Sequence, residues 1–275
     1  MSPANTKQKF GQQKSSDEIV RLVQLTDCHL GLDCEFNLAG VNTHDTFSKV
    51  LSAVRINRPS SYTFVTGEID GEGAEASYLL FSAMMASSQL DYGWLPGNHD
   101  DFQQMQKTIP QPFVKAKEFG EWVVISLVSS VPGKVNGELS AYELQELSDL
   151  LEQYKDQFIL LFVHHPPVDI QCQWLDEQRI SNSEKLNEVI SVHKKVKAIF
   201  TGHVHQESET NWFGIPVFTT PSTCFQFTSH SDTFDISNQP PGYRWIELFP
   251  DGSIKTGVEH IACDEQSIDR NCMGY

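Results

Sequence analysis

Short apolar runs alternate with segments of helical spacing along most of the chain. Runs rich in β-branched, aromatic and aliphatic residues predict strands at residues 19–26, 62–66, 92–95, 122–129, 158–163 and 196–201. Between them, apolar residues recur every three or four positions, which predicts helices near residues 47–54, 74–89, 140–154 and 184–193. Three further strands are predicted towards the C-terminus, at residues 217–220, 243–249 and 253–261. This order of elements is typical of an α/β domain.

Residues that can bind metal ions directly follow five of these strands. They are Asp27 and His29, Glu68, Asn98 and His99, His164 and His165, and His203 and His205. The ligand crevice of an open α/β sheet lies outside the carboxyl ends of its strands, so these loops can converge on one point. Imidazole nitrogens combined with carboxylate and amide oxygens suit Mn, Fe, Zn or Co better than Ca, and the set is too large for one ion. The sequence therefore predicts two ions that share a bridging carboxylate.

Each of these residues also has an ordinary structural explanation. A lone histidine at the end of a strand is more often a satisfied polar group than a ligand. Asp27 is compatible with an Asx turn, Gly97-Asn98 with a simple turn, and Glu68 with a solvated acid in a loop. The metal hypothesis rests on the combination, because such residues follow the strands one after another.

The charge of the chain restricts its partners. The 20 Lys and Arg residues against 36 Asp and Glu residues give a formal net charge of −16. A surface of this sign repels phosphate backbones and anionic lipids, which predicts a small-molecule substrate and neither a nucleic acid nor a membrane as partner. An anionic substrate would need local positive charge, and metal ions can supply it.

The composition predicts one globular domain. Hydrophobic residues make up 39 % of the 275 residues, which is enough for a sizeable core. We expect this domain over residues 18–262, between a flexible N-terminal tail, 1–17, and a loose C-terminal tail, 263–275, in a monomer or a homodimer. The six cysteines form no CxxC pair and the first 18 residues contain no apolar signal core. Both features predict a cytoplasmic protein with reduced thiols.

The order of the motifs resembles that of the calcineurin-like metallophosphoesterases. The matching motifs are Asp27-x-His29, Gly67-Glu68, Gly97-Asn98-His99-Asp100, His164 and Gly202-His203-x-His205. The resemblance extends over about residues 19–262, and it implies a four-layer α/β/β/α sandwich with two divalent metal ions, Fe, Mn or Zn/Co.

The resemblance also assigns the ligands. Asp27, His29 and His205 hold one ion; Asn98, His164 and His203 hold the other; and Glu68 bridges the two. Position 165 then lies outside the ligand set, in a supporting or structural position.

Three further segments resemble the bacterial class III 3′,5′-cyclic AMP phosphodiesterases. They are His164-His-Pro-Pro-Val, Thr219-Thr-Pro-Ser-Thr-Cys-Phe-Gln-Phe and Pro241-Gly-Tyr-Arg-Trp. This resemblance implies hydrolysis of 3′,5′-cyclic AMP to 5′-AMP by in-line attack of a metal-bridging hydroxide. Asn98 and His99 are then catalytic, with His99 protonating the leaving oxygen or holding the phosphoryl group, and Asn98, His99 and His205 contact the substrate.

Glu68 departs from the family pattern, which has Asp after the glycine. The added methylene moves the carboxylate oxygens outward, whereas two bridged ions stand ~3.5–4 Å apart. A less symmetric bridge or an altered metal preference follows, and Asp70 is a second candidate for the bridging role. Two alternative functions remain open: hydrolysis of other phosphodiesters, such as glycerophosphodiesters or 2′,3′-cyclic nucleotides, and a catalytically weakened nucleotide-binding relative.

Two other features of the sequence have two interpretations each. Asp100 either orients His99 as a carboxylate–histidine pair or caps the helix that follows. The aromatic residues between Trp212 and Trp245 either pack in the core or stack on a purine.

Overall fold

The computed structural model describes residues 18–59, 61–71, 74–263, 268–269 and 272, so the predicted N-terminal tail lies outside the described residues. The strands, in chain order, are β1 (Val20–Leu25), β2 (Asn37–Leu38), β3 (Val41–Asn42), β4 (Tyr62–Thr66), β5 (Tyr92–Leu95), β6 (Ala116–Phe119), β7 (Trp122–Leu127), β8 (Phe158–Val163), β9 (Val196–Thr201), β10 (Ser208–Trp212), β11 (Ile215–Thr219), β12 (Gly242–Leu248) and β13 (Ile254–His260). The helices are α1 (Thr43–Asn57), α2 (Glu75–Ser88), α3 (Phe102–Thr108), α4 (Ala141–Gln153), α5 (Gln173–Asp176) and α6 (Ser183–Ile190).

Most strands belong to two mixed sheets. The first has the order β13-β12-β1-β4-β5 and the second the order β10-β11-β9-β8-β7-β6, while β2 and β3 form a separate hairpin. Strands β1, β4 and β5 run parallel in the first sheet, and β7, β8, β9 and β11 run parallel in the second. Parallel strands end at the same edge of a sheet, so the loops that follow them are brought together.

Three apolar clusters separate four layers. Side chains of both sheets pack between them, where the rings of Phe64 and Phe162 stack 4.8 Å apart. Phe47 of α1 and Phe81 of α2 pack on the outer face of the first sheet, and Leu147 of α4 packs on the outer face of the second. The four-layer α/β/β/α sandwich predicted from the sequence is confirmed.

The segment Ser140-Ala-Tyr-Glu143 has the pattern of a capping box at the start of α4, but the box is only half formed. Ser140 caps α4, since its hydroxyl accepts a hydrogen bond from the amide of Glu143 at 3.0 Å. The Glu143 carboxylate does not close the box; it accepts from the Val128 amide at 2.7 Å and pairs with Lys115. The Glu143 carboxylate therefore connects α4 to the loop after β7, instead of binding the backbone amide of Ser140 as in a complete capping box.

Two edge strands of the second sheet had no signal in the sequence. Strand β6 carries Lys117 and Glu118, and β10 alternates partly buried with exposed polar residues. Edge strands of natural sheets carry charged and polar residues, which remove the apolar alternation used to predict a strand.

Part of the predicted C-terminal tail contacts the domain. The amide of Asp269 donates to the Ala39 carbonyl at 2.9 Å, and Ile268 and Cys272 pack against a fourth apolar cluster around Phe225. Among the described residues, no helix combines the length and the hydropathy needed to span a bilayer.

Candidate metal centre

Several of the predicted metal ligands have a left-handed backbone conformation, which is uncommon for residues other than glycine. Five have a positive φ: Asp27 (55°), His29 (44°), Glu68 (50°), His203 (67°) and His205 (45°). For residues with a Cβ atom this left-handed conformation costs roughly 1–2 kcal/mol each. Such strain persists where the surrounding structure over-determines it, and it concentrates at functional sites.

Backbone hydrogen bonds hold the loops after β1 and β4 against each other. The amide of Asp27 donates to the Gly67 carbonyl at 3.0 Å, and that of His29 donates to the Glu68 carbonyl at 2.9 Å. The left-handed turns at Asp27 and Glu68 therefore bring two carboxylates into one crevice, where each is almost completely buried.

Glu68 lies at the centre of the crevice, and its two carboxylate oxygens face different side chains. Oε2 lies 2.9 Å from Nε2 of His29, whereas Oε1 lies 3.2 Å from Nε2 of His164. One carboxylate thus separates the donors into two groups.

The first group contains Asp27, His29 and His205. The Nε2 atoms of His29 and His205 lie 3.2 Å apart. Nε2 of His205 is 3.9 Å from Asp27 Oδ1 and 3.8 Å from Glu68 Oε2.

The second group contains Asn98, His164 and His203. Nε2 of His164 lies 3.2 Å from Asn98 Oδ1, and Nδ1 of His203 lies 3.5 Å from Glu68 Oε1. These two groups contain the same residues that the family resemblance assigns to the two ions.

Two of the histidines are oriented by backbone carbonyls. Nδ1 of His164 lies 2.8 Å from the Thr66 carbonyl, and Nδ1 of His205 lies 2.9 Å from the Phe225 carbonyl. A ring held in this way directs Nε2 at the centre, and this atom carries a lone pair when the imidazole is neutral.

The spacing of the donors suits metal ions. Ligands bound at right angles, about 2.1 Å from a shared ion, stand roughly 3.0 Å apart, close to the separations around Glu68. Asp27 and Glu68 are both buried, and two buried carboxylates side by side need neutralising charge. The residues therefore fit a pair of divalent cations.

The protonation of the centre follows from burial and from the two carboxylates. Burial, and next the negative charge of Glu68, raises the pKa of Asp27 well above its usual value. Burial would also raise the pKa of Glu68, but the surrounding histidines outweigh it and hold that pKa well below its usual value. Burial lowers the pKa of His203 and of His205 to about 4, so both rings are neutral near pH 7, as metal ligands must be.

His165 lies beside the second group, with a ring nitrogen within 4.8 Å of ring nitrogens of His164 and His203. Its Nδ1 lies 2.7 Å from the Ser129 hydroxyl and its Nε2 lies 3.0 Å from the Val135 carbonyl. With both ring nitrogens engaged in this way, the side chain supports the loop after β7.

His99 lies at the rim of the centre. Its side chain is 19 % exposed, and its Nε2 lies 3.9 Å from Glu68 Oε1. The ring is held at Nδ1 by the Gly71 carbonyl, at 2.8 Å.

Both interpretations of Asp100 were wrong. The orienting acceptor of His99 Nδ1 is the Gly71 carbonyl, and the cap of α3 is Asp101, whose carboxylate accepts from the Gln104 amide at 3.0 Å. The carboxylate of Asp100 instead accepts backbone hydrogen bonds from Gly97, Ile69 and Asp70. The sequence pattern could not reveal this role, because two of the three donors are backbone amides of the loop after β4, 30 and 31 positions away.

Asp70 does not occupy the position of a bridge. Its Oδ2 accepts a hydrogen bond from the Ala74 amide at 2.6 Å, in front of α2. The carboxylate that lies among the histidines is that of Glu68.

Several of the aromatic residues after Trp212 pack near the centre. The ring of Phe227 stacks on His205 at 4.3 Å, and Phe225 lies 5.2 Å from the same ring. Phe227 also contacts Phe234 and Trp174, within the fourth apolar cluster. For these residues the structure supports the core-packing interpretation.

A few residues near the centre were not recognised from the sequence. The hydroxyl of Ser222 donates to the Asp27 carbonyl at 2.8 Å, and the thiol of Cys224 lies within 4.8 Å of a ring nitrogen of His29 and of His205. Tyr78 contacts the loop that carries Asn98. These contacts connect distant parts of the chain, so no local sequence pattern predicts them.

A family model for calcineurin-like phosphoesterases matches residues 20–207, which is more than half of the chain. The chain belongs to this family. The match contains the loops of both donor groups, and the family accounts for a centre that uses divalent metal ions.

Curated relatives extend the similarity over nearly the whole chain. A protein of Haemophilus influenzae named 3′,5′-cyclic adenosine monophosphate phosphodiesterase CpdA is 36 % identical over 248 residues, covering 88 % of this chain and 90 % of its own. The protein of the same name from Escherichia coli is 34 % identical over 264 residues, covering 93 % of this chain and 95 % of its own.

Solved structures confirm the fold. A dimetal phosphatase from Danio rerio superposes with a TM-score of 0.60 at 14 % identity, covering 88 % of this chain and 99 % of that one. A purple acid phosphatase from yellow lupin gives a TM-score of 0.60 at 11 % identity, covering 89 % of this chain and 54 % of that one.

Proposed function

We propose that this protein is a metal-dependent phosphodiesterase that hydrolyses 3′,5′-cyclic AMP to 5′-AMP. The observation that carries the proposal is the arrangement of Glu68, with one group of nitrogen and oxygen donors in front of each carboxylate oxygen. The name of the Haemophilus and Escherichia relatives supports the substrate, because their similarity covers 88 % and 93 % of this chain.

Seven side chains would hold two divalent cations of the Fe, Mn, Zn or Co type. The first ion would lie on Asp27, His29 and His205, the second on Asn98, His164 and His203, and both on Glu68. When bound, the two cations supply positive charge for a phosphodiester and lower the pKa of water at the centre. Without them, two buried carboxylates in a chain of net charge −16 would repel an anionic substrate.

His99 is the proposed general acid. The Gly71 carbonyl holds its Nδ1, which turns Nε2 towards the centre. As the bond between phosphorus and O3′ breaks, its electron pair stays on O3′ and the proton of Nε2 moves to that oxygen. Water supplies the oxygen that joins phosphorus, and its proton passes to solvent. A positioned acid of this kind accelerates a reaction typically ~10²–10⁴-fold.

Asn98, His99 and His205 are the proposed contacts to the phosphoryl group. Oδ1 of Asn98 faces His164, so the amide nitrogen of the same side chain remains to donate to a phosphoryl oxygen. Asn98 and His99 are the partly exposed members of this set, which supports their proposed contact with a substrate.

The acidic surface supports a small-molecule substrate and argues against nucleic acids and membranes as partners. A cytoplasmic location and a monomeric or homodimeric state complete the proposal.

The test is product analysis with purified, manganese-loaded protein. Incubation with 3′,5′-cyclic AMP should yield 5′-AMP, and Asp27→Asn should abolish the reaction while Asp251→Asn, in an exposed turn, should not. Faster turnover of a glycerophosphodiester or of 2′,3′-cyclic AMP would assign the enzyme to those substrates. Binding of 3′,5′-cyclic AMP without turnover would instead identify a nucleotide-binding relative.

A further inference from the structure

The carboxylate of Asp100 joins two loops of the metal centre. It accepts a hydrogen bond from the Gly97 amide, at 2.9 Å, on the loop that carries Asn98. On the loop that carries Glu68, it accepts from the amides of Ile69 and Asp70, at 3.3 and 3.2 Å. One side chain thus binds backbone amides of both loops.

Tyr78 of α2 holds this carboxylate in place. Its ring is fully buried, and its hydroxyl lies 3.2 Å from Asp100 Oδ1 and 2.9 Å from the amide nitrogen of Asp101. An amide N–H can only donate, so the hydroxyl accepts a hydrogen bond from Asp101 and donates one to Asp100. Asp101 therefore orients the hydroxyl of Tyr78, and that hydroxyl donates a hydrogen bond to Asp100.

The two donor groups depend on this contact to different degrees. The loop with Asp27 and His29 is tied to the Glu68 loop by backbone hydrogen bonds, which do not involve Asp100. Asn98, in contrast, belongs to the loop that Asp100 clamps to Ile69 and Asp70. A shift of Asp100 would therefore displace Asn98 relative to Glu68 and leave the first group in place.

We propose that Tyr78 is a positioning residue for the second metal site. Acting through Asp100, it sets the place of Asn98 and of the adjacent His99 relative to Glu68. The inference rests on the proposed metal-dependent function, but it concerns a residue that touches neither the donors nor the substrate position.

A manganese titration tests it directly. The protein is freed of metal, Mn²⁺ is added, and the free ion is counted by its electron paramagnetic resonance signal. Wild-type protein should bind two ions, and Tyr78→Phe should bind the first with wild-type affinity and the second about tenfold more weakly, since it loses a hydrogen bond to a charged group. Asp100→Asn should act in the same direction, and the rate with cyclic AMP should fall through kcat.

Tyr62→Phe is the matched control. The Tyr62 hydroxyl is buried on β4 and has no hydrogen-bond partner among the residues that the structure describes. Its removal should leave both manganese affinities at the wild-type level. A merely structural effect of Tyr78 would lower thermal stability and shift both ions alike.

Two results would overturn the inference: wild-type affinity for both ions in Tyr78→Phe, or equal weakening of both. If wild-type protein bound two ions but did not hydrolyse cyclic AMP, the proposed function would fail and the titration would still decide the role of Tyr78. Failure of wild-type protein to bind manganese would overturn both.

Discussion

The backbone of Gly97 lies directly against Glu68. A methyl group at Gly97 would stand 2.6 Å from the amide nitrogen of Glu68 and 2.7 Å from its Cγ. The missing side chain at position 97 thus makes room for both the backbone and the side chain of Glu68.

Gly97→Ala should therefore disrupt the second metal site. Because the new methyl group meets backbone, which cannot rotate away, we expect loss of the second manganese ion and destabilisation by about 1–3 kcal/mol. Manganese titration and denaturant unfolding measure the two effects. Gly71→Ala is the control, because a Cβ atom there meets no atom of the described residues within 4 Å. If Gly97→Ala bound both manganese ions with wild-type affinity, the loop would have adapted to the methyl group without disturbing the second site.

Glu68→Asp should weaken metal binding, although the family resemblance leads one to expect Asp at this position. The oxygens of Glu68 already stand 2.9 and 3.2 Å from histidines of the two groups, and a shorter side chain withdraws from at least one of them. We expect at least about tenfold weaker binding of one ion, since a charged ligand is displaced. Glu68→Gln should lose both activity and one ion. As a control, Asp70→Asn should keep both ions. Tighter binding in Glu68→Asp would mean that the extra methylene limits the wild-type centre.

His99→Ala should retain both metal ions and slow turnover according to the leaving group. Cyclic AMP has a poor leaving group, so its kcat should fall ~10²–10⁴-fold. Bis-p-nitrophenyl phosphate has a good leaving group that needs little protonation, so kcat with this substrate should fall much less. The comparison requires both substrates on one metal-loaded preparation, with His193→Ala as a control, since His193 precedes β9 and the candidate centre lies beyond the carboxyl ends of the strands. Equal losses on both substrates would assign His99 to phosphate positioning.

Metal binding should stabilise the fold. Ligands that bind the native state alone add about 2.7 kcal/mol for each site at a hundredfold excess over the Kd. Two occupied sites together add about 5 kcal/mol, which for a domain of this size corresponds to a rise in Tm of roughly 10–20 °C on addition of Mn²⁺ to metal-free protein. His203→Ala should show about half of that rise. An unchanged Tm in wild-type protein would contradict metal binding at the described centre.

The sequence carried a strong signal for the strands that position the site. Strands β4, β5, β8 and β9 have the predicted bounds, because each is a short apolar run that ends at a polar motif. The edge strands β6 and β10 lacked that signal, since their polar residues face solvent on the rim of the sheet. Core strands are thus predictable from composition, whereas edge strands depend on the neighbour that pairs with them.

The sequence by itself determined which side chains could bind metal, that they follow strands, and that family resemblance divides them into two groups around Glu68. Only the tertiary structure decided how those side chains are held. The Gly71 carbonyl behind His99, the clamp of Asp100 and the hydroxyl of Tyr78 connect residues 22 to 31 positions apart. Side-chain chemistry can be read from residue type and local spacing, but backbone partners and buried hydrogen bonds exist only once the loops have been brought together by the two sheets.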